Sequence, residues 1–180
     1  MINWPQTYPV LKSERLTLRG WQQSDLEFVY TSCQDPKIIE FTTIPVPYSR
    51  QEAQNFIETK NAEFNAKQSL SFVGLVNEKP ALSVSLHHIN DFDHECQIGY
   101  WVNADFRGQG LMKEAINLLT DFGFSIGFRR IEAYVLPENL SSQNALKIAG
   151  YSFEASLANR LTRRDGSQGP GLLFAKFPTG

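Results

Sequence analysis

Tyr100-Trp101-Val102-Asn103-Ala104-Asp105-Phe106-Arg107-Gly108-Gln109-Gly110-Leu111-Met112 is the stretch on which the reading of this chain turns. It runs as a strand, a short turn bearing two glycines, and a helix start. Gly108 and Gly110 sit where a chain leaving a strand turns sharply and lets a ligand approach the backbone. Leu111, Ala115, Leu118, Leu119 and Phe122 then recur at helical spacing. The first amides of such a helix have no intrahelical acceptors and lie at the positive end of its dipole. A phosphate fits there, so the stretch reads as a diphosphate-binding turn, the alternative being a tight strand-to-helix connection without a ligand. A Walker loop would need Lys and Ser or Thr where Leu111 and Met112 follow Gly110. A dinucleotide fingerprint would need a third glycine where Lys113 stands. What remains is a diphosphate-bearing cofactor of another kind.

A second cluster follows between Tyr134 and Tyr151. Ile131, Ala133 and Val135 alternate with Glu132 and Tyr134 as in a strand, and Pro137-Glu138-Asn139 interrupts it. A short amphipathic helix comes next, and Gly150 supplies its stop. Asn139, Ser141 and Ser142 suit either helix capping or a ligand.

On these two clusters the chain resembles the GNAT superfamily of acyl-CoA-dependent N-acetyltransferases, and within it the RimJ/RimL-like branch, whose namesakes acetylate N-terminal amines of ribosomal proteins. Arg107-Gly108-Gln109-Gly110-Leu111-Met112 matches the Gln/Arg-x-x-Gly-x-Gly/Ala turn, with Met112 departing at the last position. Pro137-Glu138-Asn139-x-x-Ser142, then Gly150-Tyr151, matches the second signature of the branch. Ser13 to Arg19, Ser24-Asp25-Leu26, Asp35-Pro36, Leu86 to Ile89 and Ile98 to Trp101 fit it too, so the likeness spans about Leu11 to Lys176. The resemblance implies an α+β fold with a central mixed, mostly antiparallel sheet flanked by helices. It also implies a splayed strand pair forming a cleft for acetyl-CoA as cosubstrate. Carried over, Arg107, Gly108, Gln109, Gly110, Leu111 and Met112 hold the diphosphate. Trp101 and Val102 face the thioester, and Asn139 holds the pantetheine arm.

Composition sets the bounds. At 180 residues and 42% hydrophobic, the chain is expected to form one domain, residues 1–180, with an aromatic-rich core of 13 Phe, six Tyr and three Trp. No apolar run reaches membrane-spanning length, and Met1-Ile2-Asn3-Trp4-Pro5 is unlike a signal peptide. Cys33 and Cys96 have no metal-ligand spacing, which reads as a cytoplasmic protein with free thiols and no metal. A net charge of −2 argues against general nucleic-acid binding. Arg160, Arg163 and Arg164 form the one concentrated positive patch, read as a solvated hairpin rim.

The remaining pattern is α+β. A strand is expected at Arg15 to Gly20 and a helix capped by Ser24, then a loop from Ile44 to Tyr48. A helix capped by Ser49 with Glu52 follows, carrying Ala53, Phe56, Ile57, Lys60 and Phe64 on one face. Three strands come next, about Leu70–Asn77, Pro80–Ile89 and His94–Val102. Tyr151–Asn159 and Gly171–Phe177 close the chain as a hairpin.

Acetyl transfer to an amine needs a neutral amine, a donor for the oxyanion and a proton for the leaving thiolate. Where the branch often has a Glu, this chain has Gln97, so Glu95 on the same strand face or His87 on the neighbouring strand is the candidate base. An amine that arrives already deprotonated needs neither. Leu146 occupies the place of the superfamily's common tyrosine acid, and the branch's serine alternative is Ser142. The expected acceptor is a protein or peptide N-terminus, then a small-molecule amine such as a polyamine, amino acid or antibiotic. Thr42 to Arg50 and Asn159 to Gly171 should line its side. A homodimer and a non-catalytic acyl-CoA sensor are the other readings left open.

Overall fold

Leu82, Val84 and Leu86 alternate with Ser83, Ser85 and His87, which makes one strand two-faced. In the computed structural model, which describes residues 1–178, that strand lies in the middle of an eight-stranded sheet. Its three apolar side chains are fully buried. The elements are β1 (Leu11–Lys12), β2 (Thr17–Arg19), α1 (Leu26–Ser32), α2 (Pro36–Phe41) and α3 (Arg50–Asn65). They continue as β3 (Leu70–Val76), β4 (Lys79–Asn90), β5 (Glu95–Val102), α4 (Leu111–Ser125) and β6 (Arg130–Val135). The chain finishes with α5 (Leu140–Ile148), β7 (Ser152–Thr162) and β8 (Gln168–Lys176).

The sheet order is β1-β2-β3-β4-β5-β6-β8-β7, antiparallel throughout except for the parallel pair β5–β6. This is the expected α+β class with a mixed, mostly antiparallel sheet. Leu111, Ala115, Ile116 and Leu119 of α4 share one core with Leu82, Val84 and Leu86. On the other side, Val29 of α1 and Ala53 and Ile57 of α3 pack with Trp21 and Val73. Each Val, Leu or Ile side chain so buried contributes roughly 1.5–3 kcal/mol. Ser49 caps α3, accepting from the Glu52 N–H at 3.2 Å.

Two local expectations are corrected and one unforeseen helix is added. Residues Gln23–Asp25 form a 3-10 turn, so Ser24 lies inside it and α1 begins at Leu26. Asp25 itself organises that turn, accepting from Gln22 N–H at 2.9 Å and from both Arg19 terminal nitrogens at 2.7 and 2.9 Å. Second, Pro36 opens a helix that periodicity over six residues is too short to reveal, with Asp35 accepting from Lys37 N–H at 2.8 Å as its cap. Third, the closing hairpin is longer than expected. Its turn is only Arg163–Ser167, closed by Arg163 N–H to Ser167 O at 2.8 Å. Pro170 stays within β8 because the ladder shifts register between Leu157 and Leu161, a bulge that asks no donor of it.

Asp25 is 1% exposed and its carboxylate holds both Arg19 and the turn. Replacing it by Ala leaves Arg19 unpaired, and we expect a loss of about 3 kcal/mol in the urea unfolding free energy.

Candidate functional site

β5 and β6 pair at only three positions, Glu95↔Arg130, Cys96↔Ile131 and Gln97↔Glu132. Beyond them β6 keeps only the ladder on its other edge, where Ala133, Tyr134 and Val135 pair with Phe174, Leu173 and Leu172 of β8. The two strands therefore splay, and the edge of β5 from Ile98 to Val102 that faces β6 has no ladder partner. Backbone donors and acceptors in that position call for a ligand or water.

At the end of this edge Asn103 accepts from Asp105 N–H at 3.0 Å and sets a 3-10 turn over Ala104–Phe106. Gly108 and Gly110 then take φ values of 74° and 75°, where a side chain is strained. No atom lies within 4 Å of the place a Cβ would occupy on Gly108. Gly110 stands at the N-cap of α4 with no side chain capping the first turn, so the leading amides remain available to an anion. A cavity of about 420 Å³ opens here, lined by Trp101, Val102, Arg107, Gly108, Gly110, Leu111, Met112 and Asn139. Its charged residues are Lys37, Arg107 and Lys113. Arg107 also forms an ion pair of 2.6 Å with Asp35, tying the turn to α2. The Gln109 side chain is turned back into the loop, where its Nε2 donates to Asp105 O at 3.1 Å, and its backbone carbonyl accepts from Arg15 at 3.1 Å.

A second cavity of about 430 Å³ continues on the α3 side of the sheet. The two share Phe41, Thr42, Tyr100, Trp101, Asn139 and Ser142, and so meet at the splay. Asn139 caps α5 by accepting from Ser142 N–H at 3.1 Å. The Ser142 hydroxyl is thereby left free of capping, and it lies 2.9 Å from the Tyr100 hydroxyl. Burial raises the Tyr100 pKa, keeping that phenol protonated. Leu146 is fully buried in the core.

Ser83, Ser85 and His87 of β4 pave the floor of the second cavity. Gly99 lies opposite Ser85 in the ladder, and a Cβ there would come within 2.8 Å of His87 Nε2. Burial, then the neighbouring His88 and Lys60, lowers the His87 pKa to about 4. The imidazole is a far weaker base than its ordinary value promised. Glu95 is not brought to this place: it opens β5 opposite Arg130, takes a 3.4 Å hydrogen bond from Asn90, and lines neither cavity.

The arginine patch lies on the exposed hairpin, as expected, and each of its members also has a partner. Arg160 stacks on the Tyr134 ring at 4.1 Å, and Arg163 pairs with Glu138. Arg164 donates to the carbonyls of Ile39 and Ile44 at 3.1 and 2.7 Å. Each arginine fastens the hairpin to a different part of the cavity surround. Sequence reading also passed over Tyr100 and Lys60 as site residues. The polar alternation of β4, on a strand in the middle of a sheet, was the available signal for the floor.

Among the described residues, no three or more His, Cys, Asp or Glu side chains cluster to hold a metal. No described helix is long and apolar enough to cross a membrane.

A family profile described as Acetyltransferase (GNAT) domain matches residues 15–152. The uncharacterized N-acetyltransferase p20 of Bacillus licheniformis is 29% identical over 150 residues, 82% of this chain and 84% of that protein. Among solved structures, the RimL ribosomal L7/L12 alpha-N-protein acetyltransferase in complex with coenzyme A superposes with a TM-score of 0.86 at 17% identity. That match covers 94% of this chain and 98% of the other. The microcin C7 self-immunity acetyltransferase MccE, in complex with acetyl-CoA and AMP, gives 0.85 at 23% identity over 92% and 94%.

A His87 pKa of about 4 has a thermodynamic consequence. Its folded value lies below the unfolded value of about 6.5, so the unfolded chain takes up the proton first as pH falls. Stability should be unaffected by this group above pH 6.5 and drop by at most about 1.4 kcal/mol per pH unit from there to pH 4. Urea titrations of wild type and His87→Gln across that range should differ by this slope, and the imidazole NMR signals should titrate near pH 4.

Proposed function

The chain belongs to the GNAT acetyltransferase family, and from that footing we propose that it transfers an acetyl group from acetyl-CoA to the N-terminal α-amine of a protein or peptide, by direct attack in a ternary complex within one domain. The observation that carries this reading is the unpaired edge of β5 running straight into the uncapped glycine turn of α4. The diphosphate takes the amides from Gly108 to Met112, with Arg107 and Lys113 adding positive charge. The pantetheine arm pairs with β5 as an added strand at Trp101 and Val102, and the free amide nitrogen of Asn139 steadies it. RimL and MccE, the relatives of similar fold, are named as coenzyme A and acetyl-CoA complexes, which supports the same cosubstrate here.

An acceptor α-amine follows from the weakness of the available base. Glu95 lies outside the cavities and His87 is neutral with a pKa of about 4, so the amine must lose its proton largely on its own. At pH 7 roughly one α-amine in ten is already neutral, against roughly one lysine-type or polyamine nitrogen in 2,500. The α-amine is favoured by more than a hundredfold before any contact is made. After attack, the Ser142 hydroxyl protonates the departing thiolate and recovers a proton from Tyr100 along their 2.9 Å contact, and the phenol is restored by the proton that the acylated nitrogen sheds.

Two outcomes are expected. Ser142→Ala, whose backbone cap on Asn139 is untouched, lowers kcat at least about tenfold while the acetyl-CoA dissociation constant stays put, and Tyr100→Phe shows a smaller loss of the same kind. Unchanged turnover in both would remove the proton relay. Gly110→Asp, which tolerates the left-handed backbone better than most residues, weakens acetyl-CoA binding about tenfold or more by setting a negative charge beside the diphosphate. Calorimetric titration of the folded variant measures it directly.

A further inference from the structure

We propose that His88 is the outlet of a proton relay, in which His87 takes the surplus proton of an arriving ammonium from the acceptor cavity and His88 hands one to solvent. The inference rests on the acetyltransferase reading and adds a positioning residue to it. It starts from a break in the backbone. Neighbouring strand residues point their side chains to opposite faces of a sheet, so in a regular strand His87 and His88 would not meet. Here β4 carries one residue more than β5 between the pairs His87↔Gln97 and Asn90↔Glu95, which makes a bulge. Within it His88 takes a φ of 50°, a left-handed conformation uncommon for a residue with a side chain. The two Nδ1 atoms are thereby turned toward each other as hydrogen-bond partners, with the ring centres 4.7 Å apart. Bulges and strained residues gather at functional sites, where they re-aim a side chain.

Each end of the pair lies where a relay needs it. His87 lines the second cavity, and its Nε2 lies over Gly99, 2.8 Å from the place a Cβ would occupy there. Gly99 precedes Tyr100, which marks the splay where the two cavities meet. His88 is exposed to solvent. A hydrogen bond between two Nδ1 atoms holds one proton, donated by one ring and accepted by the other. With that proton on His87, its Nε2 lone pair is bare toward the cavity. An N–H bond of the ammonium then breaks as its proton reaches His87 Nε2. The Nδ1 proton of His87 passes to His88 Nδ1, and the Nε2 proton of His88 leaves to water. The nitrogen keeps the electron pair and is ready to attack. His87 has only changed tautomer, so its pKa of about 4, set by burial and by His88 and Lys60 nearby, is no obstacle. Once product has left, His87 returns its Nε2 proton to water in the emptied cavity and takes back the Nδ1 proton, and His88 regains one from solvent. The net result is one proton moved from amine to water. It is the first of the two that the nitrogen loses, the second going to Tyr100 and the departing sulfur. The equilibrium share of neutral amine still follows the amine's own pKa, and the relay sets how quickly that form arises in the cavity.

The test compares CoA release from acetyl-CoA and a peptide with a free N-terminus for wild type, His88→Asn, His87→Gln and the double variant. Asparagine accepts a left-handed backbone and cannot pass a proton between two ring nitrogens, so the bulge is kept and the relay is cut. His88→Asn should lower kcat about tenfold, with KM and the acetyl-CoA dissociation constant unchanged. The double variant should be no slower than His87→Gln, because both changes cut one path. Imidazole added to the buffer should restore most of the kcat lost in His88→Asn, which it would not do for a missing packing contact. Unchanged kcat in His88→Asn, or a loss that imidazole leaves untouched, overturns the relay. If no amine turns over, the transfer reading is what fails, and nitrogen NMR of the imidazoles judges the pair by itself. His87 protonated on Nδ1, with coupling through the hydrogen bond to His88, keeps a proton path into the cavity. His87 protonated on Nε2, or no coupling between the rings, removes it.

Discussion

Everything at the site depends on where the hydrogen-bond ladder between β5 and β6 stops. Three residue pairs hold the strands together, and beyond them β6 keeps only its ladder with β8. A continuous ladder would seal the sheet and leave no passage between its faces. Because it ends at Gln97, both cavities open at the same place, one over the helix start of α4 and one over the polar face of β4. The two-faced character of β4 then matters: Leu82, Val84 and Leu86 anchor the core, so Ser83, Ser85 and His87 are held rigidly on the other side.

The walls above that floor are wired by arginine. α2 is held at its start by Arg107 on Asp35 and near its end by Arg164 on the carbonyls of Ile39 and Ile44. It bridges the cofactor turn and the hairpin, and Phe41 and Thr42 line both cavities. Arg160 over Tyr134 and Arg163 on Glu138 attach the hairpin to β6 and to the segment before α5. Exposed pairs of this kind contribute little to stability individually. Their role is geometric, since together they join the cofactor turn, α2, β6 and the hairpin around the cavities.

The cofactor side was legible because its physics is local. Strand, paired glycines and helix start lie in one run of thirteen residues, and Gly108 and Gly110 do take the left-handed conformation. Family resemblance carried the fold for the same reason. The acceptor side was not legible because its residues converge from distant segments. Lys60 looked like one position on a helix face, and the exposed arginines gave no sign of their partners 25 to 125 residues away. His87 illustrates a different limit: its ordinary pKa is a sequence property, but burial and the charges near it belong to the fold. Glu95 shared a strand face with Gln97, and alternation alone could not say that the face leaves the cavity before reaching it.

The contrast between a contiguous cofactor turn and a scattered acceptor cavity has a bearing on descent. Phe41, Lys60, Ser85, Tyr134 and Leu161 reach the second cavity from five separate elements or loops, while Gly108 to Lys113 form one uninterrupted piece. Drift at any one of the scattered positions can reshape what enters without disturbing the phosphate-binding piece. A lineage built this way can hand down its donor chemistry intact and change its clientele one wall at a time.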